Sequence, residues 1–110
     1  MANLEHIHHC WNHLFEKHTN LINKMEGFYS DNELNVYPPQ EYIFRVFSMN
    51  VADIKIVLLG QDVYHGYGQA NGFAFSVNNN IRIPPSLANI FTELKNTFPE
   101  REYQFNHGNL

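Results

Sequence analysis

An amide, a carboxylate, a phenol and an imidazole crowd into the stretch Gln61-Asp62-Val63-Tyr64-His65, with Gly60 before it and Gly66 after it. Asp62 and His65 are three positions apart, close enough for a carboxylate and an imidazole to cooperate on one water. The same residues also suit a plain turn, with Asp62 capping the backbone that follows and His65 a solvated loop residue. Spacing alone leaves these readings level.

The elements around the loop decide where it stands. The apolar run Ile54-Lys55-Ile56-Val57-Leu58-Leu59 ends at Gly60 and predicts a buried parallel strand over about 54–59. Open α/β sheets bind ligands at the carboxyl ends of such strands. A second strand is predicted at about 72–77, on the far side of the loop.

Upstream, Leu4, Ile7, Trp11, Leu14, Phe15, His18, Leu21, Ile22 and Met25 recur at helical steps, which predicts one helix over about 3–26. Gly27 should end it, with Ser30-Asp31-Asn32 continuing as a polar loop. Pro38-Pro39 should open a short helix whose apolar side is Ile43, Phe44, Val46 and Phe47. Downstream, Leu87, Ile90, Phe91, Leu94 and Phe98 form another helical stripe behind Pro84-Pro85-Ser86. The Ser86 hydroxyl suits an N-cap for that helix, and the prolines a stiff turn.

The residues after Phe98 show no period and are expected to fray. A sheet that stops after two strands leaves an apolar edge exposed. That predicts marginal stability, or a protein partner that completes the sheet.

Composition bounds the rest. With 110 residues, 44% of them hydrophobic, one core is accommodated and a second domain is not. No apolar stretch reaches the length of a membrane span, and the N-terminus lacks a signal-peptide pattern. The chain is therefore expected in the cytoplasm or nucleus, not secreted. Cys10 is the single cysteine, so no internal disulfide forms, which fits a reducing compartment.

Three linked segments carry a resemblance. They are Gln61-Asp62-Val63-Tyr64-His65-Gly66, Gln69-Ala70-Asn71-Gly72-Phe73-Ala74-Phe75-Ser76-Val77 and Ile83-Pro84-Pro85-Ser86-Leu87-Ala88-Asn89-Ile90. In order and spacing they closely resemble the family 1 uracil-DNA glycosylases, which carry a water-activating Gly-Gln-Asp-Pro-Tyr-His-Gly loop, a Phe-Ser-Val stretch and a proline-rich loop ending in Pro-Ser-Leu. Val36-Tyr37-Pro38-Pro39 and Asn106-His107-Gly108-Asn109-Leu110 also resemble segments of that family. Two departures stand out. Val63 replaces the family's proline, which frees a backbone dihedral and adds an N–H donor. The chain also stops at Leu110, about half the length of a complete member, so the later asparagine-bearing strand and the His-Pro-Ser-Pro loop with its intercalating leucine are absent.

The resemblance implies an α/β fold, a three-layer α/β/α arrangement with a parallel sheet, incomplete here as the N-terminal half of the uracil-DNA glycosylase fold. It implies one truncated domain over residues 1–110. It also implies hydrolysis of the N-glycosidic bond of deoxyuridine in single- or double-stranded DNA, as in base excision repair, with no metal or cofactor. Such a reaction must stabilise a sugar cation and a departing base and must position a water. By resemblance Asp62 stabilises the cation and directs the water, and His65 helps hold that water or meets a phosphate. Gln61 donates to a uracil carbonyl through its loop amide. Tyr64 packs where thymine's methyl would collide, and Phe75 stacks on the flipped base. Pro84, Pro85 and Ser86 grip a DNA phosphate at a helix N-terminus.

Without the resemblance, Phe75 reads as strand core and Ser86 as a cap alone. The net charge of −4 argues against broad capture of duplex DNA, so any contact must be local, through hydroxyls and main-chain N–H groups. Two other readings stand beside the enzyme. One is a catalytically impaired glycosylase-derived module that binds DNA or protein, or one half of a split enzyme. The other is a metal site among His6, His8, His9, Cys10, His13 and His18, where His9 and His13 have ligand spacing. No carboxylate or second cysteine completes a recognised pattern there, and surface histidines are the expectation.

Overall fold

The computed structural model describes residues 4–32, 36–102, 108 and 110. Its helices are α1 (Asn12–Lys17), α2 (Thr19–Asn32) and α3 (Pro85–Thr97), with single 3-10 turns at His9–Trp11, Gln40–Tyr42, Arg45–Ser48 and Val51–Asp53. None of them is long and apolar enough to cross a membrane.

The single helix expected over about 3–26 is instead a turn and two helices broken at His18, whose φ of −112° and ψ of 25° leave the helical region. Thr19 explains the break. Its hydroxyl donates back to the Glu16 carbonyl at 2.9 Å, a local bond that competes with the helical ladder. Residues 1–3, also within that expected span, lie outside the described residues.

Gly27 does not end the helix, and Ser30-Asp31-Asn32 form its last turn rather than a loop. An interior glycine costs a helix only about 1 kcal/mol, and Tyr29 supplies the anchor. Tyr29 is 8% exposed, and its hydroxyl donates to the Pro38 carbonyl at 2.8 Å. A Cβ at Gly27 would touch nothing. Gly27→Ala should therefore stabilise the chain by about 0.5–1 kcal/mol, read as a higher urea midpoint at unchanged m-value.

Pro38-Pro39 lead into 3-10 turns rather than the expected short α-helix. These turns carry an aromatic cluster. Phe15 of α1 stands edge-on to Phe44 and to Phe47, each at 5.1 Å, and Trp11 stands edge-on to Phe47. Trp11 also donates its indole N–H to the Met49 carbonyl at 2.8 Å. Edge-to-face packing of this kind adds to plain burial, and it clamps the N-terminal segment onto residues 44–49.

The strands expected at 54–59 and 72–77 are not formed, and the described residues contain no strand. The physical reason is the lack of a neighbour. A parallel strand needs a hydrogen-bonded partner and cover on both faces, yet Ile56, Val57, Leu58 and Leu59 are 85%, 79%, 52% and 91% exposed. Residues 72–77 run instead as turns, with Ser76 N–H donating to the Phe73 carbonyl.

Helix α3 begins at Pro85, in keeping with proline's fit to a first helical position. Its expected cap is corrected: Pro84 is the boundary residue and Ser86 lies one step inside, so no side chain caps the helix. Leu87 is fully buried, as is Val77, and Ala70, Asn71 and Ser76 are nearly so. The stretch expected to fray after Phe98 is partly tied down. Val77 N–H donates to the Gly108 carbonyl at 2.9 Å, and Leu110 N–H to the Ser76 hydroxyl at 2.8 Å. Residues 103–107 and 109, on which the rest of that expectation falls, lie outside the described residues.

Candidate active site

Gly60 opens the loop because nothing larger fits there. A Cβ would collide with the Val63 side chain and come within 3.3 Å of the Phe75 ring. The chain then turns sharply, with Asp62 at φ 47° and Tyr64 at φ 93°, and Tyr64 N–H donates to the Asp62 carbonyl at 3.2 Å. Gln69 closes the loop from below, its side-chain oxygen accepting from Gly66 N–H at 3.0 Å. Gln61, Asp62 and His65 stay exposed, while Val63 and Tyr64 are half-buried.

Phe75 sits across from the loop in a left-handed conformation, φ 65°, and its carbonyl accepts from the Tyr64 hydroxyl at 2.6 Å. Three of the four non-glycine residues with left-handed backbone among the described residues are thus Asp62, Tyr64 and Phe75. Such conformations cost roughly 1–3 kcal/mol each and persist where surrounding structure enforces them, often at functional sites.

Burial raises the Tyr64 phenol above its ordinary value, and the nearby Ser86 side chain partly offsets this. Tyr29 is likewise raised by burial. A raised phenol keeps its proton longer in the folded chain than in the unfolded one. Stability is therefore whole below about pH 10 and falls as pH rises from there through the raised native values. Urea unfolding from pH 8 to pH 11 should show this fall, and a Tyr29→Phe, Tyr64→Phe chain should lose less over the same interval.

Tyr64, Phe75 and Ser86 are brought together; Asp62 and His65 are neighbours in one turn, and no hydrogen bond joins their side chains. Pro84 is buried, and Pro85 and Ser86 are exposed at the start of α3. Behind the loop lies a recess of about 140 Å³ lined by Gly60, Val63 and residues 70–74. Among the described residues no three histidine, cysteine, aspartate or glutamate side chains are grouped to hold a metal ion. His8 of the histidine-rich segment instead accepts the Cys10 N–H through Nδ1.

The spacing gave no notice of the residues that brace this site. Arg45 reaches from its 3-10 turn to donate to the Asn71 carbonyl at 2.9 Å, its guanidinium held 5.0 Å from the Tyr42 ring and 4.9 Å from the Phe73 ring. Asn71 is 4% exposed; its side chain accepts from Phe73 N–H and donates to Asn78. The Asn71-Gly72 pair is a turn signal that could have flagged this bend. Nothing in a local pattern points to Arg45.

The turn thus presents an exposed carboxylate and an exposed imidazole, with Phe75 tied to the same loop through the Tyr64 hydroxyl. Comparison with known proteins gives that arrangement its kin. No family model matches the chain. Over 76 residues, 68% of the chain, it is 53% identical to the uracil-DNA glycosylase of Borrelia turicatae, covering 34% of that protein. Over 81 residues, 71% of the chain, it is 47% identical to the uracil-DNA glycosylase of Escherichia coli (strain K12 / DH10B), covering 35% of it. The chain is a homologue of the uracil-DNA glycosylases, as its motifs imply. It spans about a third of the length of these curated relatives.

Proposed function

We propose that the chain carries the chemistry of a uracil-DNA glycosylase, hydrolysing the N-glycosidic bond of deoxyuridine in DNA as the first step of base excision repair. Water adds to C1′ of the sugar, the C1′–N1 bond breaks, and uracil leaves with the electron pair and is protonated. Asp62 faces the developing sugar cation and orients the water, whose proton it accepts. His65 holds that water or meets an adjacent phosphate. Gln61 offers its amide to a uracil carbonyl, Phe75 stacks on the extruded base, and Tyr64 excludes the thymine methyl. Pro84, Pro85 and Ser86 receive a phosphate at the start of α3.

The observation that carries this reading is the strain. Asp62, Tyr64 and Phe75, drawn from two separate segments, each hold a costly left-handed backbone, and these are the residues the reaction would use. Similarity to named glycosylases supports the same assignment. The finer fold belongs to it as well: 54–59 acts as a parallel strand of a three-layer α/β/α sheet once further polypeptide, or a protein partner, pairs with it. The bare apolar side chains of Ile56 to Leu59 support that role. Such an enzyme works where its genome is replicated, in cytoplasm or nucleus, and this reading calls on no cofactor.

The test is product identity. A single-stranded oligonucleotide with one deoxyuridine, incubated with the chain, should yield free uracil and an alkali-labile abasic site in equal amounts. Strand cleavage without free uracil would refute the assignment.

A further inference from the structure

Tyr67 is 92% exposed and stands two residues past His65. The turn that carries it is closed by Gln69, whose side-chain oxygen accepts from Gly66 N–H at 3.0 Å and whose own N–H donates to the Gly66 carbonyl at 3.2 Å. A Cβ at Gly66 would collide with the Gln69 side chain, and Gly68 holds φ 74°. Glycine on both sides of Tyr67 therefore lets the turn close. The ring is braced as well. Half-buried Tyr37 meets it edge to face, with centroids 6.5 Å apart and planes at 83°. Such a pair engages at most one face of each ring, so Tyr67 keeps at least one face open to solvent.

A single apolar side chain in water calls for no explanation by itself. Place and charge give this one a ligand. Two residues span at most about 7 Å of chain, so the ring is within reach of the nucleotide next to one held at Asp62 and His65. Seven Lys and Arg stand against eleven Asp and Glu in the whole chain. Attraction of phosphates then supplies little, and a strand must be held by local contacts. An open aromatic face supplies such a contact without charge, because every base has a π-face to stack on it. In a duplex those faces are already taken by neighbouring bases.

We propose that Tyr67, braced by Tyr37, is a second base platform, which stacks on an unpaired base beside the deoxyuridine and directs the chain to single-stranded DNA. This rests on the glycosylase reading above and adds to it the form of DNA preferred. The platform lies outside the uracil site and is open to any of the four bases.

The test needs no turnover. Three labelled probes are titrated by fluorescence anisotropy: a uracil-free single strand, a strand of equal length built on abasic sugars, and the duplex of the first. Tyr67→Ala should bind the single strand about fivefold to a hundredfold more weakly than the unmodified chain, the worth of one base–aromatic stack. Tyr67→Phe keeps the ring and should bind it as the unmodified chain does. The abasic strand and the duplex should not distinguish Tyr67→Ala from the unmodified chain. A Tyr67→Ala chain that binds the single strand normally, an equal loss on the abasic strand or the duplex, or a Tyr67→Phe chain as weak as Tyr67→Ala overturns the platform while uracil release stands. A folded chain that binds none of the three probes overturns the DNA reading, and this proposal with it.

Discussion

Asp62→Asn is expected to slow uracil release by about 10²–10⁴-fold while oligonucleotide binding stays level or tightens, the range typical for a positioned general base. The substitution isolates charge from shape. Asp62 sits at φ 47°, and asparagine is among the few residues that accept left-handed backbone readily, so the turn should keep its form. Size is preserved as well. What disappears is the carboxylate proposed to stabilise the sugar cation and take the proton of water. Its removal also relieves repulsion of nearby phosphates, which is why binding should not weaken. Single-turnover release and oligonucleotide affinity, measured on the same preparation, check both halves. A parallel loss of binding and rate would assign Asp62 to structure instead.

Gly72→Ala is expected to destabilise the chain by about 3 kcal/mol and to disorder the bend that carries Phe75. Gly72 holds φ 93°, a region that costs a side-chain-bearing residue energy on its own. The added Cβ would also run into the Tyr42 backbone carbonyl and meet the Arg45 Cβ at 2.9 Å. A backbone carbonyl cannot swing aside as a long side chain does. Relief would have to come from moving the 40–45 turns, and with them the Arg45 guanidinium that donates to the Asn71 carbonyl. The expected result is a fall in melting temperature of more than 10 °C, at about 4–8 °C per kcal/mol for a chain of this size class. A fall within experimental error would mean that the close approach of this bend to residues 42–45 is not maintained in solution.

The sequence announced some of this architecture and not the rest, for reasons that differ by element. Helix α3 was legible because Leu87, Ile90, Phe91 and Leu94 repeat at helical steps, and Leu87 is indeed fully buried. Most of α1 and α2 was legible on the same ground, but not the break at His18, which turns on one threonine hydroxyl, nor the extension past Gly27, which turns on Tyr29 finding Pro38. The run at 54–59 shows the limit of such reading. An apolar run states that its residues favour burial; it does not state what covers them, and Ile56 to Leu59 remain exposed. At the site, Asp62, Tyr64 and His65 stand out by residue type in one short loop, whereas Phe75 is singled out by the resemblance alone, and the structure ties its carbonyl to the Tyr64 hydroxyl. The Tyr64 tether and the Arg45 brace were not legible, because they depend on contacts between residues 11 and 26 positions apart that no local pattern encodes.

The measurement that bears most directly on the central claim is the time course of base release from two single-stranded oligonucleotides, identical except that one carries deoxyuridine where the other carries thymidine. The chain is expected to release uracil in a first-order course and no thymine. A folded chain that binds both oligonucleotides and releases neither base, or releases both alike, would contradict the assignment of glycosylase chemistry to the Asp62 loop and of base selection to Tyr64.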